Sequence, residues 1–142
     1  MAENPTFEKM TLSRKPLFGP RRLILCGFAA EAQQKFSVLL ERVGIADVPK
    51  VWATAEQESA TLAELLELPD GRGAGMASRL PRAVIVAGIT ETQLINLMNA
   101  CKQAGMQQSL WACLTPVSET WPLERLLAEL ARERDAMAKR KG

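Results

Sequence analysis

The chain has 142 residues, of which 47% are hydrophobic and 24% are charged, and its formal net charge is +2. This length and balance are typical of one globular domain, and so small a net charge excludes a strong electrostatic preference for nucleic acid or membrane. The chain has no histidine, which excludes catalysis by a histidine base and zinc sites that contain histidine.

The cysteines and the apolar runs indicate the cellular compartment of the protein. Cys26, Cys101 and Cys113 are odd in number and lack CxxC spacing, so we expect reduced, mostly buried thiols without metal in a cytoplasmic protein. No apolar run approaches the roughly 18 residues that span a bilayer, and residues 1–22 contain no apolar segment typical of a secretory signal. We therefore expect no membrane contact.

Residues 1–20 contain three prolines and no sustained hydrophobic period, which predicts a flexible N-terminal tail. Phe7, Leu17 and Phe18 are the apolar residues through which this tail could instead dock on the body. The body of the chain is expected to begin near residue 21.

Residues 21–68 have the pattern of a β-α-β-α unit. The apolar run at 23–28 predicts a strand buried on both faces, and residues 50–54 predict a second strand. The helix between them ends at Gly44, a position that favours left-handed backbone, and its apolar stripe contains Ala32, Phe36, Leu39, Leu40 and Val43. Thr61 and Glu64 have the spacing of a capping box that opens the second helix.

Residues 69–81 are rich in glycine and predict a flexible linker. Gly71, Gly73 and Gly75 could also suggest a phosphate-binding loop. Such a loop needs a strand before it and a helix after it, whereas here a helix precedes and a strand follows. The linker is therefore the favoured interpretation.

Residues 82–131 repeat the order of the first unit. The strand at 84–89 begins 61 residues after the strand at 23–28, Thr90 and Gln93 form another capping-box pattern, and Gly105 lies where Gly44 lies in the first unit. The last helix carries the stripe Leu123, Leu126, Leu127, Leu130 and Ala131. Beyond it, residues 132–142 predict a charged C-terminal extension of that helix.

The two units predict an α/β fold in which a duplicated β-α-β-α unit forms one four-stranded sheet covered by helices, two on each face. Alternating strands and helices favour parallel pairs. The alternative is a ferredoxin-like α+β arrangement, in which the strands at 23–28 and 84–89 are antiparallel at the centre of the sheet. Periodicity alone does not separate the two.

The second unit resembles a known family over about residues 83–131. The matching features are the strand "VIVAGI", a helix ending at Gly105, a strand closing on Thr115-Pro116, and "TWPLERLLAEL", in which Trp121 leads into a leucine-rich helix. This order resembles a bacterial and archaeal family of domains of unknown function, the family numbered 3783. The resemblance implies a unit about as long as one half of this chain and implies no particular activity.

The second unit also carries the candidate residues for a ligand or partner, which are Gly88, Thr115, Pro116 and Trp121. They lie at predicted carboxyl ends of strands, where open α/β sheets bind ligands. Alanines replace Pro116 and Trp121 in the first unit, so one site is expected rather than two. Alternatively, Trp121 is a hydrophobic staple, with Thr120 or Trp121 as the helix cap and Pro122 in the first turn.

No motif of the common catalytic classes occurs, so we expect no catalytic residues, no cofactor and no metal. The expected function is that of a cytoplasmic, non-enzymatic binding or regulatory module that contacts a protein or a small ligand, with a homodimer left open. A weak nucleic-acid binder is the alternative. Its support is a set of basic residues near the termini, which are Arg14, Lys15, Arg21, Arg22, Lys139, Arg140 and Lys141. The lack of stacking aromatics beside them argues against it. An enzyme of unknown reaction ranks third.

Overall fold

The computed structural model describes residues 15–141, with side chains through residue 139. Residues 1–14 of the predicted tail and the last residues of the predicted extension lie outside this range, together with the basic side chains they carry. The described residues form four strands and four helices, which are β1 (Arg22–Cys26), α1 (Ala30–Arg42), β2 (Lys50–Ala53), α2 (Leu62–Leu65), β3 (Ala83–Ala87), α3 (Glu91–Gln103), β4 (Leu110–Cys113) and α4 (Leu123–Lys141).

The strands form one mixed sheet in the order β2-β1-β3-β4. This confirms the predicted four-stranded α/β fold covered by helices. β1 is parallel to β2 and β3 is parallel to β4, because each pair is joined by a helical crossover. The central pair, β1 and β3, is antiparallel, which is the feature named in the ferredoxin-like alternative. The carboxyl ends of β1 and β2 therefore lie at one end of the sheet, and those of β3 and β4 lie at the other.

The two halves of the sheet have the same register. Leu23 lies opposite Lys50 across β1 and β2, and Val84 lies opposite Trp111 across β3 and β4. Both residues of the second pair follow those of the first by 61 positions, and α3 follows α1 by the same interval. At the centre, Ile24 faces its own counterpart, Ile85. The pairing of the strands is therefore two-fold symmetric about the Ile24–Ile85 pair.

Each face of the sheet buries its own apolar core. The face under α1 and α3 buries Leu23, Leu25, Phe28, Phe36, Leu40, Ile45, Val48, Trp52, Val84, Val86, Ile89 and Leu97. The face under α2 and α4 buries a second set that includes Ile24, Cys26, Leu62, Leu65, Ile85, Leu110, Leu114, Leu123, Leu126 and Leu127. Two helices thus cover each face, as the apolar runs predicted.

The segment just before β1 is bonded to the body. The Leu17 amide donates to the Ile89 carbonyl oxygen at 2.7 Å, and the Gly88 amide donates to the Phe18 carbonyl oxygen at 3.2 Å. Leu17 packs against the core beneath α1 and α3. This part of the predicted tail is therefore docked, which is the alternative that the sequence had left open for these apolar residues.

The glycine-rich segment after α2 covers the outer edge of β2. The Trp52 amide donates to the Arg72 carbonyl oxygen and the Gly71 amide donates to the Lys50 carbonyl oxygen, both at 2.8 Å. At Gly73 a β-carbon would lie 2.1 Å from the Trp52 carbonyl oxygen, so glycine permits the close approach. This part of the predicted linker is therefore paired with the strand, because its glycines permit the close approach.

The short segments that precede α2 and α4 are hydrogen-bonded to each other. The Leu62 amide donates to the Trp121 carbonyl oxygen at 3.0 Å, and the Leu123 amide donates to the Ala60 carbonyl oxygen at 2.9 Å. Free amides at a helix start need acceptors, and here each half supplies an acceptor to the other. These reciprocal bonds join the halves a second time, away from the sheet.

Candidate functional site

Only two of the four residues predicted as a site share a cleft. Thr115 and Trp121 line a hollow of about 330 Å³ between β4 and α4, whereas Gly88 and Pro116 do not line it. At Gly88 a β-carbon would lie 2.5 Å from the Arg21 α-carbon, so this glycine permits a close crossing of two backbone segments. Ligand binding by the four residues stays a prediction.

The turn after β4 satisfies its own polar groups. The Thr115 amide donates to Ser118 Oγ at 3.0 Å, and the Ser118 amide donates to Thr115 Oγ1 at 2.9 Å. The Thr115 hydroxyl also donates to Ser118 Oγ at 3.0 Å. These bonds form a compact turn, and Thr115 is thus already engaged within the chain.

Trp121 is half-buried at the entrance of α4, and the Arg125 guanidinium lies 4.0 Å from the centre of its ring. The prediction that Thr120 or Trp121 caps the helix was wrong. The Thr120 hydroxyl donates to the Val117 carbonyl oxygen at 2.8 Å, and the Ala60 carbonyl oxygen accepts the first helical amide instead. The cap comes from the other half of the chain, where local sequence does not reveal it.

A second, wider cleft opens beside α3 at the amino ends of β3 and β4. Its volume is about 560 Å³, and it lies at the opposite end of these strands from the predicted site. It is lined by Phe28, Phe36, Arg82, Met98, Asn99, Cys101, Lys102, Gly105, Met106, Gln107, Gln108, Ser109 and Trp111. The lining thus combines aromatic and thioether walls with two cationic side chains, and it contains no carboxylate.

Arg82 is the most unusual side chain of this cleft. Its guanidinium carbon lies 3.8 Å from the centre of the Phe28 ring, a distance at which a cation is attracted to the ring face. Its Nε atom is buried and has no hydrogen-bond partner within residues 15–141, and its Nη1 atom is 3.5 Å from Gln107 Oε1. Burial lowers the pKa of Arg82, and the nearby Cys101 raises it by a smaller amount. A guanidinium remains charged at neutral pH even so.

The first half has an arginine at the equivalent position, and that arginine has a charged partner. Arg21 precedes Arg82 by 61 positions, and its Nη1 atom lies 2.5 Å from Asp47 Oδ2. The Arg21 hydrogen bond is the main reason that the pKa of Asp47 lies below its ordinary value. The position that corresponds to Asp47 in the second half is Gln108, which lines the cleft and has no charge. Among the described side chains, Arg82 therefore has no carboxylate partner.

The three thiols differ in burial. Cys26 is buried, and burial raises its pKa to about 12. Cys101 is half-buried, and burial raises its pKa more than the Arg82 charge lowers it, so this wall of the cleft is a neutral thiol at pH 7. Cys113 is exposed. The prediction of burial was wrong for Cys113, because β4 is a strand at the edge of the sheet.

Sequence reasoning missed the Arg82 cleft because it searched the carboxyl ends of the strands. A signal was present in the 61-residue interval, which aligns Arg21 with Arg82 and Asp47 with Gln108. The absence of a carboxylate at position 108 is visible in the sequence only once this alignment includes the loops. The alignment does not predict the contact between Phe28 and Arg82, because Phe28 belongs to the first half and meets Arg82 only in the folded chain.

The fold and cleft define an α/β protein with an open, positively charged hollow that is lined by residues of both halves. Residues 82–137 match the model of a family described as a domain of unknown function, DUF3783. This match confirms the resemblance predicted for the second half of the chain. A search of curated proteins and a search of solved structures gave no match.

Residues 15–141 contain no group of three or more cysteine, aspartate or glutamate side chains that could hold a metal ion. None of the described helices is long and apolar enough to cross a membrane. The cleft around Arg82 is thus the feature of the described structure with the clearest chemical preference.

Proposed function

We propose that this protein is a cytoplasmic, non-enzymatic binding module whose ligand is a small organic anion held in the Arg82 cleft. The observation that carries the proposal is the Arg82 guanidinium, which lacks a counter-charge where its counterpart Arg21 has Asp47. An anionic group of a ligand would take the place of the missing carboxylate. The apolar part of the ligand would contact the aromatic walls, Phe28, Phe36 and Trp111.

The energetics of burial support an anion. A partly buried charge without a partner costs free energy, and a charge-assisted hydrogen bond to it contributes more than a neutral one. Lys102 lies in the same lining and adds a second positive charge. A neutral or cationic ligand would leave the buried Arg82 Nε atom without a counter-charge, whereas the exposed Lys102 is hydrated in either case.

The composition of the cleft supports binding rather than catalysis. It offers no histidine and no carboxylate to move a proton, and its one thiol, Cys101, has a raised pKa. A thiol is a nucleophile chiefly as its thiolate. The residues instead provide shape, apolar surface and positive charge, which are the properties of a ligand pocket.

The matching register of the two halves supports a further element of this proposal, namely that the chain arose from a duplicated β-α-β-α unit. The first half then kept the Arg21–Asp47 pair. In the second half a glutamine, Gln108, replaced the acid, and this left Arg82 available to a ligand. The shared framework and the single cleft then have one origin.

A pair of dyes tests the proposal. The anion 1-anilinonaphthalene-8-sulfonate should bind the full chain saturably with a fluorescence increase, and the uncharged N-phenyl-1-naphthylamine should bind more weakly. Arg82→Gln should weaken binding of the anionic dye by about tenfold or more, since an ionic hydrogen bond contributes ~1.5–3 kcal/mol, and should leave the neutral dye unchanged. Arg21→Gln is the matched control and should affect neither dye.

Two results would contradict the proposal. One is the absence of saturable binding of the anionic dye. The other is equal loss of both dyes in Arg82→Gln, because this would indicate a general loss of structure rather than a lost charge.

A further inference from the structure

The walls of the Arg82 cleft occupy positions that the first half closes completely. Three residues of the first half have 0% exposure at these positions and pack in one apolar core, namely Leu40, Ile45 and Val48. Their counterparts, 61 positions later in the chain, are half-buried and line the cleft, namely Cys101, Met106 and Ser109. The cleft therefore lies where the second half leaves open a space that the first half fills.

Two of these three positions lack a branched aliphatic side chain in the second half. Cys101 stands where the first half has Leu40, and Ser109 stands where it has Val48. Protein interiors are packed as densely as organic crystals, and atoms that line an unfilled space lose dispersion contacts. An alkyl group that enters the cleft beside Cys101 and Ser109 would restore those contacts and remove apolar surface from water.

The loop before the edge strand closes in the first half and is open in the second. The Val48 amide donates to the Ile45 carbonyl oxygen at 3.1 Å, and the Val48 side chain packs in the core. Within residues 15–141 the equivalent bond from the Ser109 amide to the Met106 carbonyl oxygen does not form, and residues 106–109 form no turn. The second half is therefore open at the position where Val48 closes the first.

The charge and the branched side chain are neighbours in the first half. Asp47, which pairs with Arg21, directly precedes Val48, and the corresponding residues of the second half are Gln108 and Ser109. One short stretch of the first half thus supplies a carboxylate and a branched alkyl group side by side. The corresponding stretch of the second half supplies neither group.

We propose that the ligand of this cleft is a short branched aliphatic carboxylate, which provides both missing groups in one molecule. The inference rests on the anion-binding function proposed above and names the chemical class of the anion. The carboxylate pairs with the Arg82 guanidinium as Asp47 pairs with Arg21. The branched alkyl group occupies the space beside Cys101 and Ser109.

Other classes of anion match these observations less well. A phosphate ester carries up to two negative charges at neutral pH, whereas the first half balances Arg21 with one carboxylate. A linear chain or a flat ring lacks the shape of the leucine and valine side chains that fill the equivalent space. Shape matters here because one methylene group in an apolar pocket changes specificity by about tenfold or more.

Competition against 1-anilinonaphthalene-8-sulfonate bound to the unaltered full chain tests this inference, because the dye reports occupancy of the cleft. We expect 4-methylpentanoate to displace the dye. Two matched compounds should each require at least a tenfold higher concentration, since 4-methylpentanamide has the same shape without the charge and acetate has the charge without the branched group. Benzoate, which replaces the branched group with a flat ring, should require a several-fold higher concentration.

A substitution in the cleft provides a second measurement. Cys101→Leu restores the side chain that the first half has at Leu40, so it should fill the space that the ligand needs. Isothermal titration calorimetry should show binding of 4-methylpentanoate weakened at least tenfold, and the midpoint of urea denaturation should rise because a buried alkyl group is gained. Ala104→Leu adds the same group at an exposed position outside the cleft lining and should leave both measurements unchanged.

The outcomes distinguish this inference from the function on which it rests. If the dye does not bind saturably, the anion-binding function fails and this inference fails with it. Suppose instead that the dye binds but 4-methylpentanoate does not displace it, or that acetate, the amide or benzoate displaces it as readily. The class of ligand is then overturned while the anion-binding function stands, and the same holds if Cys101→Leu binds 4-methylpentanoate as the wild type does.

Discussion

The two halves of this protein share a backbone framework and differ in what they leave open. The first half neutralises Arg21 with Asp47 and covers β2 with the segment around Arg72. Within residues 15–141, no carboxylate pairs with Arg82 and no segment pairs with the outer edge of β4. Such unpaired groups indicate a candidate site more directly than residues that occur only in the second half, such as Trp121.

The largest expected effect is on the free energy of unfolding, and it tests whether the two halves share a backbone framework. At Gly27 and Gly88 the backbone φ is positive, and a β-carbon would lie 2.5 Å from backbone atoms of a neighbouring segment. Alanine at either position should lower the free energy of unfolding by at least ~3 kcal/mol, because strain and a backbone clash combine. Urea denaturation measures this loss.

Gly44 and Gly105 are the matched controls for that experiment. Their φ angles are also positive, but nothing lies within 4 Å of an added β-carbon. Alanine there should cost only about 1 kcal/mol, the cost of the left-handed conformation alone. If Gly27→Ala were tolerated while Gly88→Ala unfolded the protein, the two halves would not be equivalent in the way described.

The second prediction concerns a substitution that gives both halves a carboxylate at the same position. Gln108→Asp restores the carboxylate that the first half has at Asp47. It should pair with Arg82 and weaken binding of the anionic dye by about tenfold, because the pair removes the charge available to a ligand. Stability should change by less than ~1 kcal/mol, as is usual for a partly exposed ion pair.

Ser109→Asp places the same charge one residue away in the cleft lining and serves as the control for Gln108→Asp, because no hydrogen bond joins Ser109 to Arg82 within the described residues. If the two substitutions weakened the dye equally, the loss would reflect the net charge of the cleft mouth. The specific pairing with Arg82 would then be contradicted.

The smallest effect concerns acid stability. The pKa of Asp47 lies below its ordinary value of 3.8 because Arg21 donates a hydrogen bond to it. A pKa lowered by folding gives stability that is complete above the unfolded value and is lost as the pH falls through the folded value. Asp47→Asn should therefore flatten the fall in melting temperature as the pH drops below the ordinary value of 3.8.

Gln108→Asn, at the equivalent position of the second half, should leave that acid profile unchanged. Thermal melts of the two variants at a series of pH values distinguish the halves. An acid profile that is the same for Asp47→Asn and the wild type would show that the Arg21–Asp47 contact contributes nothing in solution.

Local patterns in the sequence were sufficient for the elements. The capping boxes at Thr61 and Thr90 form as predicted, with the Glu64 and Gln93 amides donating to the two hydroxyl groups. Gly44 has the left-handed backbone expected at a helix end. These features depend on residues within four positions of one another, so their sequence spacing carries the whole signal.

Non-local features were beyond the same reasoning. The acceptor for the first amide of α4 is the Ala60 carbonyl oxygen, and every residue type carries such a group, so no sequence pattern marks it. The path of the glycine-rich segment along β2 is hidden for a similar reason, because its pairing uses backbone atoms. The exposure of Cys113 follows from strand order, which hydrophobic periodicity does not specify.

The reciprocal bonds between Leu62 and Trp121 and between Leu123 and Ala60 have a consequence for how the chain folds. Each half completes the helix of the other, so neither can reach its final structure first. The central pairing of β1 with β3 adds to this interdependence. The chain should consequently fold as a single cooperative unit with a late, long-range closure step. The two β-α-β-α halves thus do not form two autonomous folding modules.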